Sequence, residues 1–185
     1  NDNLFIGASC ASNNTGSRYN IAIGNGSAHY GFGSATGNTI IGHSSAQLAL
    51  KKGTGYGIGG GTVTGWVTLG YYAGYAVGSG NNASLGATCI GNNAGYYATG
   101  SYNTFVGGLA GKGGTTSAPY SSGQYNTFVG YNAGAEFTTG TNLTFIGYKA
   151  GESSTDTNNT VVIGNDAGRD ADLGDYAVYI GTYSG

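Results

Sequence analysis

An all-β repeat solenoid wound in coils of about 17 residues is the fold this sequence predicts, and three observations predict it. Glycine supplies 39 of 185 residues with only one proline; a nine-residue unit recurs from one end of the chain to the other; and that unit keeps branched aliphatic, small and glycine residues in fixed columns. Glycine at this density costs a helix roughly 1 kcal/mol per residue relative to alanine, and it does not fall at every third position as collagen requires. With 16 Tyr, 6 Phe and a net charge of −2 the chain is also unlike a disordered one. Turn-rich β-structure remains.

The repeat reads Asn-Thr-Phe-Val-Gly-x-x-Ala-Gly at Asn126 to Gly134, and its variants place anchor glycines at Gly7, Gly24, Gly42, Gly70, Gly91, Gly107, Gly130, Gly147, Gly164 and Gly181. Their spacings are 17, 18, 28, 21, 16, 23, 17, 17 and 17 residues, so residues 1–185 form one repeat domain of ten coils with insertions near 46–64 and 112–124. Before each anchor stands a branched aliphatic residue: Ile6, Ile23, Ile41, Leu69, Ile90, Val106, Val129, Ile146, Ile163 or Ile180. This column is expected to be the core stripe. Three residues after the anchor only Cys, Ser or Ala occurs, which marks a tight corner. The next position is Ala11, Ala28 or Ala46 in the first three units and Gly74, Gly95, Gly111, Gly134, Gly151, Gly168 or Gly185 afterwards, as a positive-φ turn would favour.

Side chains alternate along a strand, so Phe128 and Val129 point to opposite faces, as do Phe145 and Ile146 or Phe105 and Val106. With the aliphatic residue inward, the aromatic is expected outward, where water is a poor neighbour. One coil also buries too little to offset the cost of ordering it. Stacking of coils, and association of identical chains around a common axis, would supply the rest.

Ile21 to Ala28, reading Ile-Ala-Ile-Gly-Asn-Gly-Ser-Ala, resembles the head repeats of trimeric autotransporter adhesins. Asn126 to Gly134 and Leu143 to Gly151 look still more like the repeats of phage tail fibres, and the likeness runs from Asn3 to Gly185, lapsing over Lys51 to Thr68. The resemblance implies a parallel homotrimeric fibre, each chain winding a β-roll-like coil, at the virion or bacterial cell surface. On that reading the chain is an extracellular tail-fibre shaft or head that contributes to attachment to a surface glycan or protein receptor. A bacterial trimeric adhesin or filament subunit is the first alternative. An ice-binding solenoid is the second, since Thr104, Thr127, Thr144 and Thr160 recur, although large Phe neighbours would spoil a flat array. The lack of an initiator methionine and the abrupt start at Asn1 suggest a fragment of a longer fibre protein.

Other chemistries find little support. Six scattered basic residues offer no footprint for nucleic acid, and no apolar run of about 18 residues exists to enter a membrane. Gly107 to Gly113 lacks Walker spacing, with Gly113 where Ser or Thr should be, and Gly53 to Gly61 lacks βαβ context. His29 and His43 lack a third ligand, and Cys10 and Cys89, four coils and so roughly 19 Å apart, read as small buried side chains. Asp166, Asp170, Asp172 and Asp175 could meet Ca²⁺ through oxygen, but without the glycine-rich nonapeptide of calcium β-rolls they read as turn carboxylates. No triad or carboxylate pair is visible, so neither an enzyme nor a cofactor or metal is expected. Tyr71, Tyr131 and Tyr148, each directly after an anchor, read as a structural ladder or chain contact. The insertions are the candidate receptor-contact regions, with Lys51, Lys52, Tyr56, Trp66, Lys112 and Tyr120 as their residues.

Overall fold

The computed structural model describes residues 2–12, 14, 16–29, 35–47, 65–76, 86–114, 121–170 and 173–185. Among these residues ten strands of three residues each, β1 (Leu4–Ile6), β2 (Ile21–Ile23), β3 (Thr39–Ile41), β4 (Val67–Leu69), β5 (Thr88–Ile90), β6 (Thr104–Val106), β7 (Thr127–Val129), β8 (Thr144–Ile146), β9 (Val161–Ile163) and β10 (Val178–Ile180), form one parallel sheet in sequence order. The chain therefore winds one strand per coil. Every pre-anchor residue pairs with the next one, from Ile6 with Ile23 through Ile41 with Leu69 to Ile163 with Ile180, so the insertions leave the register untouched. Pairing extends past the strands into the turns: Gly134 N–H donates to the Ala150 carbonyl at 3.0 Å, Glu136 to Glu152 at 3.0 Å and Thr138 to Thr155 at 2.7 Å. These bonds satisfy backbone that a three-residue strand alone would leave unpaired.

The inside and outside of the coil are the reverse of the sequence expectation. The central residue of each strand faces inward: Ala22, Ile40, Thr68, Cys89, Phe105, Phe128, Phe145 and Val162 are fully buried, while Phe5 and Tyr179 in the terminal coils are partly so. The column expected as core is outside. Ile6, Leu69, Ile146 and Ile180 are exposed, and Ile23, Ile41, Ile90, Val106, Val129 and Ile163 are only half-buried. The reason is steric. A Cβ on Gly134 would lie 2.5 Å from the Phe128 ring and one on Gly151 2.6 Å from Phe145, so the glycine four residues past the anchor makes room for an inward ring. Where the central residue is Ala22 or Ile40, that position is Ala28 or Ala46 instead, and Phe5, whose coil carries Ala11 there, is only partly buried. Phe105, Phe128 and Phe145 stack along the axis at 5.2 and 4.8 Å, and Phe137 tilts in against the first two.

The small column is buried, with Ser27, Ser45, Ala73, Ala94, Ala110, Ala133, Ala150 and Ala167 inaccessible. The positive φ expected one residue later is present, at 56° for Gly134 and at 45–49° for Ala11, Ala28 and Ala46. The anchors carry φ of 127–143°, and a Cβ on any of them but Gly181 would strike the carbonyl of the next anchor.

A column not anticipated lies four residues before the anchor, where buried asparagines form a ladder. Asn38 N–H and Nδ2 donate to Asn20 Oδ1 at 3.0 and 2.9 Å, and Asn126 and Leu143 N–H donate to the side-chain oxygens of Asn103 and Asn126 at 2.9 Å each. Asn126→Ala strands the Leu143 N–H and the Gly140 carbonyl that Asn126 Nδ2 meets at 2.8 Å. A loss of about 2 kcal/mol is expected in urea unfolding, from two buried groups left unsatisfied. The same substitution at exposed Asn92 should cost under about 0.5 kcal/mol.

Candidate functional site

With the rings inside, the outer face of the sheet carries two parallel ranks. The third strand position gives the wholly aliphatic rank from Ile6 to Ile180. The first gives Leu4, Ile21, Thr39, Val67, Thr88, Thr104, Thr127, Thr144, Val161 and Val178. Every one of these residues except Leu4 and Leu69 is β-branched, and successive rungs follow at about 4.8 Å. Of the aliphatic members, Leu4, Ile6, Ile21, Val67, Leu69, Ile146, Val178 and Ile180 are exposed, most strongly in the terminal coils, and the others are half-buried. Thr160 does not belong here. It sits in the asparagine column, buried, its hydroxyl donating to the Asn158 and Gly174 carbonyls at 3.0 Å each.

Of the receptor-contact candidates, Lys51, Lys52, Tyr56 and Tyr120 lie outside the described residues. Trp66 is a correction. It is fully buried, because it occupies the asparagine column directly after Asn38, whose Oδ1 accepts its backbone N–H at 3.0 Å. An indole there is core, not a displayed face. Lys112 is half-buried at the edge of a groove of about 450 Å³ shared with residues of the next two coils.

The tyrosines make ladders within the chain. Tyr131 stacks on Tyr148 at 5.7 Å and His43 on Tyr71 at 5.3 Å, while Tyr75 stacks on Tyr96 at 4.6 Å. Burial and the surrounding phenols push the Tyr96 hydroxyl up to about 12, and a hydrogen bond with Tyr72 raises that of Tyr71. Both cysteines are free: Cys89 is buried and pushed up to about 12 by desolvation, and Cys10 is partly buried with Sγ donating to the Ala22 carbonyl at 3.1 Å.

Among the acids, Asp166 and Asp170 face Arg169 at 3.4 and 3.6 Å, and Asp175 accepts from the Asn158 N–H at 2.7 Å. Asp172 lies outside the described residues. Among the described residues no group of three or more His, Cys, Asp or Glu could hold a metal ion, and no helix is long and apolar enough to cross a membrane. No family model, no curated protein and no solved structure matches the chain.

Proposed function

We propose that the chain is a non-catalytic structural segment of an extracellular fibre, a tail-fibre shaft or head, in which three identical chains pack their outer sheet faces about a common axis. The observation that carries this reading is the continuous aliphatic rank from Ile6 to Ile180, displayed outward on ten successive strands. Isolated exposed apolar residues need no explanation, but an aliphatic side chain on every rung of an outer sheet face, exposed at Ile6, Leu69, Ile146 and Ile180 and half-buried at the rest, marks a surface that is covered in use. Three copies of a regular rank can meet along their whole length, whereas a compact partner would cover only a few rungs. The role of the assembled fibre would be to project, or contribute to, attachment at a receptor or surface glycan.

Sedimentation equilibrium should return a mass near three times the 18.4 kDa chain. Val129→Lys combined with Ile146→Lys should give single chains that keep the β-sheet circular dichroism, since neither side chain is needed inside the coil. A native chain that stays single at every attainable concentration overturns the proposal.

An ice-binding role has one observation in its favour. The phenylalanines that would have spoiled a flat array point inward, leaving Thr39, Thr88, Thr104, Thr127 and Thr144 half-buried in an even outer rank. The aliphatic rank beside it fits protein contact better than ordered water. Thermal hysteresis from the purified segment would reverse that preference.

A further inference from the structure

The groove beside Lys112 is cut by a single small residue. Lys112, Ala135 and Glu152 all fall five residues after an anchor, on three successive coils, so a methyl group sits between two long side chains roughly 10 Å apart. The notch holds about 450 Å³, within the range of ligand sites, and Asn132, Glu136 and Thr138 also line it. Its far wall is rigid. Glu152 Oε2 meets Lys149 Nζ at 3.3 Å and Arg169 Nε at 3.2 Å, and Oε1 accepts from Asn132 Nδ2 at 2.7 Å. That bond fixes the Asn132 amide, whose Oδ1 is buried and without a hydrogen-bond partner among the described residues. On the near side, the Lys112 ammonium and the exposed Glu136 carboxylate form no ion pair among the described residues.

We propose that this groove binds a saccharide, with sugar hydroxyls seated over Ala135 between Lys112, Glu136 and Thr138; this rests on the reading of the chain as an attachment fibre. A hydroxyl both donates and accepts, so it suits a site that offers an ammonium, a carboxylate and threonine oxygens side by side. A simple anion is disfavoured by Glu136 at the rim, and an apolar peptide side chain would desolvate the Lys112 and Glu136 charges without pairing them.

The test is an array of bacterial-surface and animal oligosaccharides probed with the purified native chain, followed by titration of the best-bound one. Lys112→Gln and Glu136→Gln should each weaken binding roughly tenfold, the share of one charge-assisted hydrogen bond. Ala135→Trp, which fills the notch, should abolish it. The sedimentation mass of each variant is read alongside. An unchanged mass with lost binding supports the site, whereas no bound glycan on the array, or native affinity retained in Lys112→Gln and Glu136→Gln, overturns it. A failure of the fibre reading would show separately, as a single-chain mass in the native protein.

Discussion

Gly91→Ala is expected to destabilise the chain by about 4 kcal/mol, read as a large drop in the urea midpoint at fixed protein concentration, because two costs combine. At φ of 132° an L residue is strained by roughly 1–3 kcal/mol. The new Cβ would also lie 2.5 Å from the Gly107 carbonyl oxygen and 2.6 Å from its carbon, an overlap with backbone that no rotamer can relieve and that costs about as much again. Moving the coil away would break the bond from Gly107 N–H to the Ile90 carbonyl at 2.8 Å. Gly37→Ala is the matched control, because φ there is 69° and nothing lies within 4 Å of the added carbon. It should lose only about 1–2 kcal/mol, from the left-handed conformation alone. Equal losses at the two sites would show that anchor contact between coils contributes nothing.

That contact also explains why register was legible in the sequence and facing was not. A parallel solenoid stacks like upon like, so a column that admits only glycine must be where successive backbones touch. Counting from it aligns β3 with β4 across a 28-residue interval, as the pairing of Ile41 with Leu69 shows. Alternation, by contrast, says only that Phe128 and Val129 face opposite ways. Both are apolar, so their hydrophobicity could not choose between them. The deciding signal lay six residues downstream of Phe105, Phe128 and Phe145, at Gly111, Gly134 and Gly151, where a Cβ would strike the inward ring.

Trp66 escapes the sequence reading for a related reason. Its neighbourhood is an insertion, but counting back four from Gly70 puts it in line with Asn20 and Asn38, inside the wall. The groove was half legible. Lys112 stood out as an insertion residue, whereas Asn132, Glu136 and Glu152 belong to regular coils. They line one groove only because Ala135 falls between longer side chains in the axial direction, a juxtaposition that emerges once coils are stacked.

The facing assignment makes the sharper test of the whole architecture. Phe128→Ala should cost about 4 kcal/mol, since it removes a fully buried ring that stacks on Phe105 and Phe145 and meets Phe137 edge-on at 5.3 Å. Backbone bonds between the coils, such as Gly130 N–H to the Val106 carbonyl and Gly147 N–H to the Val129 carbonyl at 2.8 Å each, limit how far the cavity can close. Val129→Ala, one residue away, removes a half-buried side chain and should cost a single chain under about 1 kcal/mol. On the proposed assembly the two would also differ in their dependence on concentration: the loss at Phe128 would be the same at every protein concentration, whereas the loss at Val129 would grow as concentration rises into the range where native chains associate. Reversal of the two effects, with Val129 the costly site in isolated chains, would return the aliphatic rank to the interior and remove the surface on which the proposed assembly rests.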